Sequence, residues 1–169
     1  FWVTKANSIN SKLFSGSDIQ SIVKKAIVER LKGCYNVSWF KEDGASYPLR
    51  VTIHKDVVTI GLDTTGDSLH KRGYRPMAGK APISECLAAA LIKLTPWNKD
   101  RILVDPFCGS GTFPIEAAMM AANIAPGFNR SFTAESWENI IPKKEWYDAV
   151  TEANDNIERN IVTDIQGYD

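Results

Sequence analysis

Ile19, Ile22, Val23, Ala26, Ile27 and Leu31 recur three and four residues apart, so they share one face of a helix over residues 17–33, "SDIQSIVKKAIVERLKG". Ser17 stands where it can cap the start, and Gly33 where it can end the helix. Lys24, Lys25 and Lys32 fall off the apolar stripe and face solvent or a ligand. The period then changes to two. In "LRVTIH" (49–54), Leu49, Val51 and Ile53 alternate with Arg50, Thr52 and His54. Two residues, "KD", separate this run from "VVTIGL" (57–62), which predicts a hairpin with one buried face. "VSWF" (37–40) reads as a third short strand. The first part of the chain is thus expected to be an α+β module.

Residues 63–82, "DTTGDSLHKRGYRPMAGKAP", hold repeated Gly and Pro breaks and read as a loop or linker. An amphipathic helix follows over 83–94, bracketed by Pro82 and Pro96. "RILVD" (101–105) is a short buried strand. "FPIEAAMMAANIA" (113–125) is a helix, with Pro114 tolerated in its first turn and alanines 117, 118, 121, 122 and 125 allowing close packing on a sheet. Residues 125–142 look irregular, 144–160 helical, and 161–169 a second strand ending in Asp169. Strand, helix, strand is the opening of a parallel α/β sheet.

Charge sharpens this division. Residues 1–80 carry 13 Lys/Arg against 7 Asp/Glu, a net +6, and residues 81–169 carry 7 against 13, a net −6. A positive module is what binding a polyanion needs. The length of 169 residues, with 44% hydrophobic and 24% charged, suits one ordinary domain or two small ones. No apolar run nears the roughly 20 residues of a membrane span. "FWVTKANSIN" lacks the apolar core and cleavage site of a signal peptide, and without an initial Met the chain is expected to be a fragment. Three widely spaced cysteines, Cys34, Cys86 and Cys108, form neither a disulfide framework nor a zinc pattern, and His54 and His70 have no partners at ligand spacing. A reducing, cytoplasmic setting and no metal are expected.

The chemistry concentrates in "VDPFCGSGTFPIEAA" (104–118). No Lys follows Gly111, so it is not a phosphate loop, and Pro114 occupies the place of the third glycine of a dinucleotide fingerprint, which speaks against a dehydrogenase. Gly109 and Gly111 let the backbone turn sharply and approach a ligand. Asp105, at the strand end, repels phosphate and suits an ammonium group. Asp169, at the end of the second predicted strand, can accept hydrogen bonds from ribose hydroxyls. An ammonium-bearing nucleoside fits both acids, and S-adenosylmethionine is such a molecule. Cys108 reads as a small loop residue, because no His nearby in sequence activates it.

"ILVDPFCGSGTFPIEAA" closely resembles motif I of the bacterial RNA methyltransferases that join a THUMP domain to a class I (Rossmann-like) methyltransferase domain. "GDSLHKRGYR", "APISECLAAALIKLTPW" and "NIAPGFNR" are similar to the same family, in the same order, and "SINSKLFSGSDIQSIVKKAIVERLK" resembles the second half of a THUMP domain. The resemblance implies an α+β THUMP-like RNA-binding module over 1–75 and the first part of an α/β methyltransferase domain over 76–169. It implies cofactor contacts at Asp105, Phe107, Gly109, Ser110 and Gly111, with Asp169 on the ribose of S-adenosylmethionine. The implied substrate is an exocyclic base amine, commonly guanine N2 in large-subunit ribosomal RNA. Lys24, Lys25, Lys71 and Arg72 are the expected RNA contacts.

Two features depart from the family. Ser84 stands where a charged residue is usual. The N-P-P-Y-type motif expected after strand four does not occur, so no catalytic residue is assigned in these 169 residues. A two-strand half sheet should expose apolar surface and edges, so the rest of the methyltransferase domain is expected to complete it. Two other readings stay open: an RNA-binding module on a non-catalytic Rossmann scaffold, and a transfer RNA base methyltransferase.

Overall fold

The computed structural model describes residues 1–75 and 82–169. It divides into two compact units, one of residues 1–66 with 136–140 and one of residues 67–135 with 141–169.

In the first unit, strand β1 (Trp2–Ile9) leads into helix α1 (Gly16–Tyr35), which returns to β2 (Pro48–His54), and β3 (Val57–Leu62) closes a three-stranded sheet in the order β1-β2-β3. β1 and β2 are parallel, joined through α1, while β2 and β3 form the antiparallel hairpin expected from the alternation. Lys55 and Asp56 both have positive φ, 51° and 62°, the backbone of a two-residue turn whose twist matches the strands. The cost of a left-handed backbone at two residues other than glycine is offset locally. Ser11 Oγ accepts from the Asp56 N–H at 3.0 Å, and Asp56 Oδ1 accepts from the Lys12 N–H at 2.8 Å. Ile19 of α1 and Val51 and Ile53 of β2 form the core, with Val3, Ala6 and Val23 packed against them.

Several expectations for this unit need correcting. Ser15, not Ser17, caps α1, its side chain accepting from Asp18 N–H. The helix runs through Gly33 and stops at Asn36, which adopts the left-handed conformation (φ 51°). Ile22 and Ala26 are exposed, so only part of the apolar stripe meets the sheet. Residues 37–40 are irregular, not a strand, and their Trp39 is exposed. β3 buries neither face: its apolar residues Val57, Val58, Ile60 and Leu62 are all exposed. β1 escaped the pattern reading because a register shift between Val3 and Lys5 breaks its period of two. Trp137 is 1% exposed, stacks on Tyr47 with ring centroids 5.2 Å apart, and donates from Nε1 to the Ser46 carbonyl at 2.7 Å. Those contacts bring residues 136–140 into the first unit.

The second unit holds α2 (Glu85–Leu94), β4 (Leu103–Asp105), α3 (Thr112–Ala121), α4 (Lys143–Asp155) and β5 (Ile165–Gly167). β4 and β5 pair in parallel, as the strand–helix–strand reading requires. Ser84 caps α2, its hydroxyl accepting from Leu87 N–H, which gives that position a local structural use. α3 packs against α2 and, more lightly, on β4 and β5, burying Ala117 and Ala121 while Ala118 stays exposed. It ends at Ala121, shorter than expected, and Asn123 turns left-handed (φ 53°) just beyond. α4 likewise stops at Asp155 instead of reaching residue 160. The buried strand expected over 101–105 is only Leu103–Asp105, and Ile102 and Val104 are exposed, because among the described residues a single strand pairs with it.

The division between the units falls at 66/67, earlier than the expected 75/76. Residues 67–75 are tied into the second unit. Arg130 donates to the carbonyls of Asp67, Ser68 and Lys71, and Gly73 (φ 84°) lies so close to Asn129 that an added Cβ would sit 1.8 Å from its carbonyl oxygen. Of the expected linker, residues 76–81 lie outside the described residues.

Candidate cofactor site

The site is built at the carboxyl ends of β4 and β5. Beyond Asp105 the chain bends away at Pro106, and Asp105 Oδ1 accepts from the Phe107 N–H at 3.2 Å, so the acid stabilises the turn it begins. The turn is stitched to the chain leaving β5: the Tyr168 N–H donates to Asp105 O at 2.9 Å, and the Cys108 N–H donates to Tyr168 O at 2.7 Å. Asp169 follows directly and is exposed. It lies two residues beyond the last strand residue, Gly167, not at the strand end itself.

The two glycines do different work from packing. Gly109 (φ 51°) and Gly111 (φ 75°) hold left-handed backbone, but a Cβ on Gly109 would meet nothing within 4 Å, and one on Gly111 would meet only the Ile115 side chain at 3.7 Å. They serve the bend of the turn and leave open the space before it. Gly111 is the residue before α3, and that helix begins with no side-chain hydrogen bond on its free N–H groups. Ser110 is exposed between the glycines, and the Phe107 ring is 89% exposed beside them. An aromatic side chain so exposed has apolar surface available for a ligand.

Gly167 was missed by the sequence reading. Its missing side chain is what lets the turn lie against β5, because a Cβ there would come within 3.0 Å of Cys108 Sγ and 3.1 Å of Pro114 Cγ. The signal was present, since a glycine in a strand often marks a place where another part of the chain approaches closely. Cys108 is accordingly a packing residue of the turn.

A buried polar cluster lies behind the turn. Glu116 of α3 pairs with Arg72, Nε to Oε1 3.1 Å, with side chains only 2% and 8% exposed, and the Tyr74 hydroxyl donates to the same Oε1 at 2.7 Å. Arg75 pairs with Glu85 at 3.6 Å and donates to Thr112 Oγ1. Burial pushes the Glu116 carboxyl above the ordinary glutamate value, with Tyr74 and Arg72 acting against that shift. Burial, and then the bond to Glu116, push the Tyr74 hydroxyl well above the ordinary tyrosine value, so it stays a donor.

The expected RNA contacts fare differently from one another. Lys24 and Lys25 are exposed on α1 in the first unit. Lys71 is exposed in the second unit, its ammonium 3.6 Å from Asp67. Arg72 is a correction. Its guanidinium is buried against Glu116 and is not presented to phosphate. The sequence could not reveal this, because the partner lies 44 residues away on another element.

A glycine turn behind a strand-end acid, between two parallel strands and a helix, defines the opening of a class I methyltransferase domain, here preceded by a THUMP domain. The chain belongs to the family described as RMKL-like, methyltransferase domain, which residues 72–167 match, and residues 1–63 match the THUMP domain. It is 54% identical over 151 residues to a Bacillus subtilis protein named "Putative RNA methyltransferase YpsC", covering 88% of this chain and 39% of that protein. It is 47% identical over 114 residues to the ribosomal RNA large subunit methyltransferase K/L of Vibrio parahaemolyticus, covering 67% of this chain and 16% of that one. Among solved structures, the one described as "Crystal structure of SMU.472, a putative methyltransferase complexed with SAH" superposes with a TM-score of 0.92 at 44% identity, over 99% of this chain and 44% of that chain. The chain thus spans less than half the length of each of these relatives. Among the described residues no helix is long and apolar enough to cross a membrane.

Proposed function

We propose that the full-length protein is an S-adenosylmethionine-dependent RNA methyltransferase of the cytoplasm, acting on an exocyclic base amine, guanine N2 of large-subunit ribosomal RNA. The observation that carries the reading is the pairing of Asp105 with an open glycine turn, held against the carboxyl end of a second parallel strand. The residues fit the cofactor. Asp105 offers a carboxylate to the ammonium group, the Gly109–Gly111 turn offers open space, and Asp169 offers a carboxylate to the ribose. Phe107 lends an apolar surface and Ser110 lies between the glycines. The cofactor supplies a methyl group on a sulfonium when bound. The names of the Vibrio parahaemolyticus relative and of the SAH complex agree with this reading.

The role of this chain's residues is to bind and orient. Transfer from a sulfonium to an amine needs in-line placement more than it needs acid–base groups. A base within a duplex cannot reach the turn, so a flipped or single-stranded nucleotide is the expected substrate. Lys24 and Lys25, in the basic module expected over 1–75, and Lys71 hold the RNA through its phosphates. The exposed apolar residues of β4 and the segment before it are covered by the remainder of the methyltransferase domain. The test is methylation of total RNA by the full-length protein with labelled S-adenosylmethionine, followed by mapping. Label on guanine N2 of the large-subunit RNA is expected. Label on transfer RNA only, or on a different atom, would overturn the substrate assignment, and no label on any RNA would overturn the activity.

A further inference from the structure

We propose that Arg75 is a positioning residue for the cofactor turn: it holds Thr112, the first residue of α3, in the place that aims Gly109–Gly111. The inference rests on the cofactor reading above. The Arg75 guanidinium spans two helix starts. One nitrogen donates to Thr112 Oγ1, and the other lies 3.6 Å from Oε1 of Glu85, the first residue of α2. The side chains of Arg75 and Glu85 are 10% and 9% exposed. The contact is therefore sheltered from water, where a charge-assisted bond is strong and its loss leaves a buried charge unpaired.

Thr112 is 3% exposed, so its hydroxyl has no access to a ligand in front of the turn. Its influence on a ligand passes through its neighbour Gly111. That neighbour holds left-handed backbone, and no side chain caps α3 at its start. At the helix end of the turn, the other bonds seen among the described residues are main-chain ones, from Gly111 N–H to Cys108 O and from Ile115 N–H to Gly111 O, while the Asp105 side chain and Tyr168 hold the strand end. Arg75 adds the side-chain anchor that a capping residue would ordinarily supply. A planar guanidinium reaches both acceptors at once, which the single ammonium of a lysine does not.

Arg75 is itself held. The loop that carries it is fastened by Arg130 on three carbonyls, by the close approach of Gly73 to Asn129, and by Tyr74 on Glu116. The turn is thereby tied through Arg75 to a loop with its own anchors and to α2, in addition to its own main-chain bonds.

The experiment titrates S-adenosylhomocysteine by calorimetry into the full-length wild type and into Arg75→Lys, Thr112→Val and Thr112→Ser. Thermal unfolding shows which variants are folded. Arg75→Lys and Thr112→Val should each weaken binding about tenfold, the expected scale for one charge-assisted bond. Thr112→Ser keeps the hydroxyl and should bind within twofold of wild type. Amide hydrogen exchange adds a readout that general destabilisation would not single out. Exchange in residues 104–118 should quicken in the two weakened variants, while residues 143–155 of α4 keep the wild-type rate. Should Arg75→Lys not fold, Thr112→Val decides alone, because it replaces one hydroxyl by a methyl of like size. Wild-type affinity in folded Thr112→Val overturns the role of Arg75, as does equal weakening by Thr112→Ser. A wild type that binds no S-adenosylhomocysteine overturns the cofactor reading itself, and this inference with it.

Discussion

Replacing Arg72 with methionine tests whether the cluster behind the turn is an ion pair that the fold depends on. The substitution removes the guanidinium and retains much of its apolar stem. It leaves Glu116, 2% exposed, with the hydrogen bond from Tyr74 at 2.7 Å as its one partner of that kind among the described residues. At 3.1 Å, with an effective dielectric constant of about 20, the lost attraction is on the order of 5 kcal/mol. Breaking one side of a buried pair costs about 3–5 kcal/mol by experience elsewhere. That is a large part of the total stability of roughly 5–15 kcal/mol of an ordinary domain. The loss must also depend on pH. Glu116 already has its folded-state value raised by burial, and removing Arg72 removes an influence that lowers it. An acid raised on folding binds its proton more tightly in the native state. Its penalty is therefore fully present above the folded value and fades as pH falls towards the unfolded value of about 4.3. Arg72→Met should thus lose most near pH ~8 and recover on acidification towards pH ~5. The double variant Arg72→Met/Glu116→Gln keeps an acceptor for Tyr74 without a charge. It should regain most of the loss and show no such pH dependence. Urea unfolding of the full-length protein followed by circular dichroism, with hydrogen exchange in α3, measures all three. A loss under about 1 kcal/mol at the higher pH, or one equal at both, would refute the argument, since either means Glu116 is not a buried, uncompensated charge.

Three further outcomes are expected. Asp105→Ala and Gly111→Val should each weaken S-adenosylmethionine binding at least tenfold, or about 1.4 kcal/mol, in calorimetry on the full-length protein; unchanged affinity in both, with the fold intact, sinks the site. Gly73→Ala puts a Cβ 1.8 Å from the Asn129 carbonyl oxygen at a φ of 84°, so it should cost about 2–4 kcal/mol; an unshifted thermal midpoint would show that the loop is not packed as described. Neutralising Lys24 and Lys25 to Gln should make the log–log salt dependence of RNA binding shallower by about 1.4, at about 0.7 for each single-strand phosphate contact; an unchanged slope removes α1 from the RNA surface.

Local pattern carried much of this fold. The long period of α1, the alternation of β2 and the two-residue hairpin turn depend on neighbours within a few residues, and all were legible. So was "VDPFCGSG" as a strand followed by a tight turn, because a short apolar run and glycines that can turn left-handed are properties of that short stretch. What failed, failed for want of distant partners. "VSWF" has the residues of a strand but pairs with no strand among the described residues. β3 has an apolar pattern but nothing packed on it among the described residues. Arg72 looked like a free cation until Glu116, on α3, was folded against it. Trp137 lies in a segment without periodicity, and only contact with Tyr47 and Ser46 assigns it to the first unit. The anchoring of Thr112 by Arg75 joins residues 37 positions apart. Periodicity and turn chemistry are written in the order of residues, whereas the pairing of buried charges depends on which elements the chain brings together, and that is decided only when the helices pack.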